Sequence, residues 1–494
     1  MTLDPRTPVL VGGGQINQRE GGVEPVDLIV RAARAAADDA AAPLLAESVD
    51  SIRVVGMLSW YYRDPGALVG ERLGAAPRHT GVTGTGGNMP QSLVNAAALD
   101  IAAGRADVVL IGGAETWRTW SQHRRAGTRQ PWTDQPSTVT PAEVLVPEMP
   151  LLFDGNTRVG LIRPSEVYPL FEQALRLAAG RSPADHRDRL GRLWSRFSSV
   201  AAKNPDAWIQ REFTPAEIVT PGPDNRLIAD PYTKLMNANN SVEQGAAVLI
   251  CSVEAARRYR VPQDRWVFPL SGTDAHDTFN VAERGALDRS PAIAAAGRAA
   301  IELAGTSVDA IDHLDVYSCF PSAVQVAAAE LGLPVDDPAR PLTITGGLSF
   351  AGGPWNNYVT HAIATMITTL REHPDSLGMV TANGGFLTKH AFGVYGTRPP
   401  AAGFRYADVQ SVVDAAPTVA APVTYEGPAR IESWTVTRDR DGAPERVLLA
   451  TRTPGGARAM AFSTDADLLA GAAAGECAGS AGAVAADGRF TAAG

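Results

Sequence analysis

A nucleophile, an oxyanion or a bound carbonyl needs unpaired backbone N–H groups, and the stretch Thr83–Glu115 offers them. Gly84, Gly86 and Gly87 permit backbone angles and close approach that a side chain forbids. The spacing beyond them predicts an Ala/Leu-rich helix over Gln91–Ala103, stopped by Gly104. A strand over Asp107–Ile111 follows, ended by Gly112 and Gly113. The first turn of a helix entered from such a loop presents free donors and a partial positive charge. Other reactive side chains are few. Cys251, Cys319 and Cys477 share no metal-ligand spacing, and an odd number gives no disulfide framework, so neither metal nor disulfide is expected. Of the 44 basic residues only Lys203, Lys234 and Lys389 are lysines, leaving 44 − 3 = 41 arginines. Genomic base bias accounts for that excess as a whole, yet the positions of the three lysines remain informative.

The glycine block resembles the nucleophile region of thiolases, where a catalytic cysteine opens the helix. Counted back from Ile111-Gly112-Gly113-Ala114-Glu115, that cysteine's place falls on Gly87. The family's catalytic histidine lies in a Gly-His-Pro turn; the matching turn here is Gly352-Gly353-Pro354, with Gly353 in its place. The second cysteine precedes a glycine pair; in Thr381-Ala382-Asn383-Gly384-Gly385 that place holds Ala382. The remaining motif is Asn-Glu-Ala-Phe, or His-Asp-Cys-Phe in the sterol-carrier-protein type. Here it reads Tyr317-Ser318-Cys319-Phe320, so only Cys319 and Phe320 survive. Glycine has no side chain for acyl transfer, which excludes ordinary thiolysis through residue 87.

The elements that must position these residues come in two similar sets. Ser48-Val49-Asp50-Ser51-Ile52 and Ser307-Val308-Asp309-Ala310-Ile311 both lead into strand-like runs, 307 − 48 = 259 residues apart. The same offset carries Val9-Leu10-Val11-Gly12 onto Phe268-Pro269-Leu270-Ser271. Val108–Gly113 matches Met379–Gly385 at a somewhat larger offset. Two copies in the same order predict an α/β fold of two similar halves, and the resemblance implies the layered α-β-α-β-α thiolase arrangement. The halves are read as residues 1–265 and 266–400. Thr116–Tyr232 forms an inserted loop domain with two amphipathic helices, one capped by Ser165 and one striped by Leu190, Leu193, Trp194, Phe197 and Ala201. In thiolases a loop domain at this point covers the coenzyme A site. Residues 401–494 form an additional small β domain, OB-like, with strands at Ala429–Arg438, Arg446–Arg452 and Ala457–Phe462. Its last stretch, Ala470–Gly494, is Ala/Gly-rich and expected to be poorly ordered at its end. Ordinary thiolases end without such a domain; the thiolase-like proteins of type 1 carry one.

What the resemblance leaves is shape and backbone. It implies an oxyanion pocket of Gly87, Tyr317, Ser318, Asn356, Gly384 and Gly385, with Asn357 nearby and Cys319 and His390 as catalytic candidates. Cys319 reads also as a small buried apolar residue, and His390 either as part of a polar pocket mouth or as a surface group. Lys203, Lys234 and Lys389 border the family's coenzyme A channel. Arg118, Arg124 and Arg125 follow Trp117 in a run suited to stacking adenine and neutralising phosphate, with solvated surface charge as the alternative. Two functions follow. One is a thiolase-like protein that binds coenzyme A or acyl-CoA without the Cys-His-Cys set; the other is an acyl-CoA-dependent acyltransferase (acetyl-CoA acetyltransferase-like, in lipid metabolism) using other residues. A net charge of −9 argues against nucleic acid as a partner. No apolar run spans a membrane, and Met1-Thr2-Leu3-Asp4-Pro5 lacks a signal-peptide pattern, so a cytoplasmic protein is expected. The added domain is a candidate surface for a protein partner. It is also expected to cover the sheet edge through which thiolases dimerise, favouring a monomer.

Overall fold

Two sheets repeat one topology. The computed structural model describes residues 3–493; Met1, Thr2 and Gly494 lie outside the described residues. The first half contributes β1 (Pro8–Asn17), β2 (Ser51–Val54), β3 (His79–Thr83), β4 (Val108–Thr116) and β5 (Glu143–Val146). After the short pair β6 (Leu227–Ala229) and β7 (Tyr232–Thr233) comes β8 (Glu243–Ser252). The first sheet runs in the order β1-β8-β4-β2-β3-β5. The second half contributes β9 (Phe268–His276), β10 (His313–Asp315), β11 (Leu377–Gly384), β12 (Lys389–Gly396) and β13 (Arg405–Asp408). Read from β9, its order is β9-β12-β11-β10, with β13 outside β9. Both series pair antiparallel, antiparallel, then parallel. The repeat read at an offset of 259 is therefore a repeat of strand order and direction.

Two helices fill the space between the sheets. Met89–Ala102 touches β4 and β8 of the first sheet and β11 and β12 of the second; Tyr358–Glu372 touches β1, β8 and β11. The Ala-rich sequence of the first suits a layer buried on both faces, whereas the second buries larger side chains, among them Tyr358, Ile363, Met366 and Leu370. Gly104, at φ 73°, ends the first of them as expected. The strand before the loop domain corrects the reading of its glycines. β4 continues to Thr116, so Gly112 and Gly113 lie inside it. A Cβ on Gly113 would sit 2.5 Å from Asn357 Oδ1; the residue marks a close approach, not a turn.

The last sheet runs β16 (Arg458–Ser463), β15 (Pro444–Arg452), β14 (Gly427–Arg438), β17 (Ala481–Val484) and β18 (Phe490–Ala492). β6 extends it by pairing with β14, so the loop domain and the tail share one sheet. Through residue 493 the Ala/Gly-rich stretch is ordered, contrary to the expectation for its end, and Gly494 lies outside the described residues. Asp465 caps a helix over Ala466–Ala474, and Cys477 and Phe490 are buried in a core with Trp434 and Leu449. The expected role of this domain as cover for a dimer edge is also corrected. It docks instead on the helix Pro164–Ala178, where Ser433 Oγ donates to Leu170 O at 2.6 Å, and on the turn at residues 281–284. There the fully buried Arg458 guanidinium donates to both oxygens of Glu432 and to Ala282 O. The edge of the first sheet at β3 is covered by β5, a strand of the loop domain. β13, beyond residue 400, pairs with β9 and belongs to the second sheet. Among the described residues no helix is long and apolar enough to cross a membrane.

Candidate functional site

The glycine turn before Met89, the segment after β10 and the β11–β12 hairpin converge on a cavity of about 650 Å³. Gly86, Gly87, Tyr317, Cys319, Asn356, Asn383, Gly384, Gly385 and Lys389 form its floor. The loop domain adds Arg163 and Tyr168, and Lys234, just beyond that domain's end, lines it too. Of the residues expected here, the structure brings together Gly87, Tyr317, Cys319, Asn356, Gly384, Gly385, Lys234 and Lys389.

At Gly87, where the resemblance leads one to expect the family's nucleophile, another residue fills the space. A Cβ built on Gly87 would lie 2.2 Å from Tyr317 Oη and 2.5 Å from the Asn383 carbonyl oxygen. The phenol occupies the volume that a side chain at 87 would need. Burial raises the Tyr317 pKa well above the usual tyrosine range, with Cys319 adding to the shift, so the hydroxyl stays protonated and able to donate. Gly384 serves close approach too, since a Cβ there would meet Asn88 Oδ1 at 2.4 Å and Gly87 N at 3.2 Å. At the second family position Gly353 stands behind the wall, where a Cβ would lie 3.0 Å from Asn240 Oδ1. At the third, Ala382 is buried in β11.

Cys319 lies beside Tyr317 on the floor. Burial pushes its thiol up to about 12, with hydrogen bonding from Tyr168 and Asn383 working the other way. Asn383 Nδ2 lies 3.8 Å from Cys319 Sγ and donates to Tyr168 Oη at 2.9 Å. Tyr168 Oη also accepts from Leu387 N at 3.0 Å and faces Gly385 O at 3.2 Å. Asn356 acts as a clamp, accepting from Gly86 N at 2.9 Å and donating to Gly56 O at 2.8 Å. Asn357 donates to Gly113 O at 2.6 Å, in the core. Asn383 Oδ1 is buried on this wall and, among the described residues, has no partner. Trp355 Nε1 is likewise unpartnered, its residue held at φ 47° with the ring against Trp117.

Several expected residues lie elsewhere. His390 follows Lys389 on an extended strand, so the two face opposite sides. Lys389 lines the cavity, whereas His390 is buried 3.5 Å from Asp277 Oδ2, in a cluster with Arg284 and Ser290, and is no polar mouth. That cluster holds the Asp277 carboxyl at about 2: burial would raise it, but Arg284 and His390 keep it ionised. Ser318, between Tyr317 and Cys319, points away and accepts from Leu348 N at 3.3 Å. Lys203 lines a separate cleft with Arg196 and Glu372. Arg118 donates to Arg19 O, Arg124 lies over the Trp120 ring, and Arg125 is exposed; none of the three lines the cavity. Their helix, Trp117–Ala126, instead backs Trp355.

A second cleft, of about 460 Å³, adjoins the cavity and shares Arg163, Ser165 and Ile228 with it. Arg226, Arg438 and Arg446, the last two supplied by the C-terminal domain, bring its arginines to four, against Glu445 and Glu166, which lies 3.7 Å from Arg163. Arg438 is held by Asp230 at 2.6 Å. Arg226 donates to Leu227 O and Asp439 O. Among the described residues Arg446 has no carboxylate within 4.0 Å. No motif in the sequence marks this cleft, because its four arginines come from three separate segments of an arginine-rich chain.

Residues 408–489 match the family model of the thiolase-like protein type 1 additional C-terminal domain. A monomeric SCP2-thiolase-like protein type 1 from Mycobacterium smegmatis is 34% identical, with 100% of each chain covered and a TM-score of 0.85. The Ltp2-ChsH2(DUF35) aldolase is similar over 80% of this chain and 98% of its own, at 19% identity and TM-score 0.61. The Acat5 thiolase from Ascaris suum, solved with coenzyme A, is similar over 79% of this chain and 99% of its own, at 15% identity and TM-score 0.57. These last two likenesses concern the fold. No curated protein matches the chain.

Proposed function

Because the chain belongs to the SCP2-thiolase-like proteins of type 1, we propose that it binds coenzyme A or an acyl-CoA and catalyses no thiolysis. The observation that carries this reading is the cavity and the basic cleft sharing one wall. The acyl-pantetheine arm takes the cavity. Asn383 Oδ1, buried and unpartnered, is an acceptor for an amide N–H of that arm, and the Tyr317 hydroxyl a donor for the thioester carbonyl. The phosphates take Arg163, Arg226 and Arg446 in the adjoining cleft, in place of the Arg118, Arg124 and Arg125 first expected. Acyl transfer through Cys319 is disfavoured, since a thiol at about 12 with no base beside it is protonated at neutral pH.

In this reading the protein works as a monomer, with β5 in the place of a partner's edge strand. The C-terminal domain serves the ligand by supplying Arg446. Two measurements test the reading together. Acetoacetyl-CoA with free coenzyme A should give no thiolysis above a blank, while millimolar coenzyme A should raise the melting temperature. Turnover abolished by one substitution, or no shift at all, would overturn the corresponding half.

A further inference from the structure

Lys389 is one of three lysines among 44 basic residues, and it sits at the floor of the cavity, 7% exposed. Its ammonium donates to the Thr85 carbonyl, and among the described residues no carboxylate lies within 4.0 Å of it. The glycine turn packs closely on it, since a Cβ on Gly86 would lie 3.3 Å from Lys389 Nζ, and the open side of the lysine faces the cavity. Arginine fills almost every other basic position in this chain, and a guanidinium could make the same hydrogen bond. What arginine cannot do is become a neutral amine near physiological pH.

We propose that Lys389 is a nucleophile that condenses with the carbonyl group of an aldehyde or ketone held in the cavity. The neutral amine's lone pair attacks the carbonyl carbon, and one proton passes from nitrogen to oxygen, giving a carbinolamine. Its hydroxyl takes a second proton and leaves as water, and the nitrogen lone pair closes the C=N⁺ bond. Overall an ammonium and a carbonyl become an iminium and one water, so no oxidant or reductant is needed. Burial supports the first step by holding the Lys389 ammonium below the usual lysine range, although Glu148 opposes that shift. The other cavity groups suit the second. The Tyr317 hydroxyl is a neutral donor, and Asn383 Oδ1 is an unpartnered acceptor for the carbinolamine hydroxyl.

The two remaining lysines make the test internal to the wild-type protein. Full-length protein is treated with butanal and sodium cyanoborohydride at neutral pH, digested, and mapped by mass spectrometry. Cyanoborohydride delivers hydride to the iminium carbon and fixes a butyl group on whichever amine condensed. The butyl group is expected on Lys389 while Lys203, in its separate cleft, and the exposed Lys234 remain unmodified. Lys389→Arg should lose the adduct at an unchanged melting temperature. Adducts on Lys203 and Lys234 with Lys389 bare, or equal labelling of all three, would overturn the proposal. The probe contains no coenzyme A, so that failure would leave the coenzyme A reading intact.

Discussion

Gly87 and Tyr317 compete for one volume, so restoring the family nucleophile should not restore its activity. Gly87→Cys brings a Cβ within 2.2 Å of the phenol and 2.5 Å of the Asn383 carbonyl. Overpacking of this kind costs about 1–3 kcal/mol, and we expect that loss with no gain of thiolysis. Tyr317→Ala in the same chain relieves only the first clash. Denaturant unfolding of both single variants and the double should give a favourable coupling of about 0.5–3 kcal/mol. Independent effects would mean that the two residues do not share the site. Cys319 gives a second prediction at this scale. A thiol at about 12, against an ordinary value of about 8.5, has roughly a thousandfold less thiolate at any pH below both. Native protein should therefore resist iodoacetamide at Cys319 near pH 8, with the rate rising about tenfold per pH unit. Rapid alkylation there would restore the case for acyl transfer. That Gly87, Gly353 and Ala382 carry no reactive side chain was legible in the sequence, since the residue types alone say it. Tyr317 as the occupant was not, since its motif and Gly87 lie 230 residues apart and only the fold superposes them.

Among the elements, β5 decides how the molecule ends its first sheet. Glu143–Val146 pairs in parallel with β3, matching Gly81 with Glu143 and Val82 with Val144, and Leu145 packs over Gly81, where a Cβ would come within 2.5–2.7 Å of its side chain. β3 so covered offers its ladder to no second copy, and the edge that replaces it is only four residues long. Light scattering on the full chain should give the monomer mass of 51.9 kDa. Replacing residues 143–146 with Gly and Ser should expose β3 and produce dimers or larger species. A full chain that is already dimeric would contradict this account. The repeat of the two sheets was readable from paired strand-and-turn segments, whose local patterns are strong. β5 was not, because four residues between prolines carry little pattern and their partner strand lies some sixty residues earlier. The ordered tail escaped for a similar reason: Ala and Gly are weak signals by themselves, and burial of Phe490 and Cys477 against Trp434 makes them structural.

The whole molecule is tied together by the docking of its last domain. Arg458 is fully buried, paired with Glu432 and bonded to the Ala282 carbonyl in the second half. Arg458→Ala leaves Glu432 with Arg452, at 2.9 Å, but strips the Ala282 carbonyl of its buried donor, and should cost about 1–3 kcal/mol in unfolding experiments. A loss under about 1 kcal/mol would mean the contact is ornamental. Docking also brings Arg446 to the cleft beside the cavity, which links the added domain to the proposed ligand. The most direct test is therefore calorimetric titration of coenzyme A into the full-length protein. Binding in the micromolar to millimolar range is expected, about 4–8 kcal/mol. It should be lost when Arg163, Arg226 and Arg446 are all replaced by alanine, and retained when Arg118, Arg124 and Arg125 are. No heat at millimolar coenzyme A would contradict the central claim.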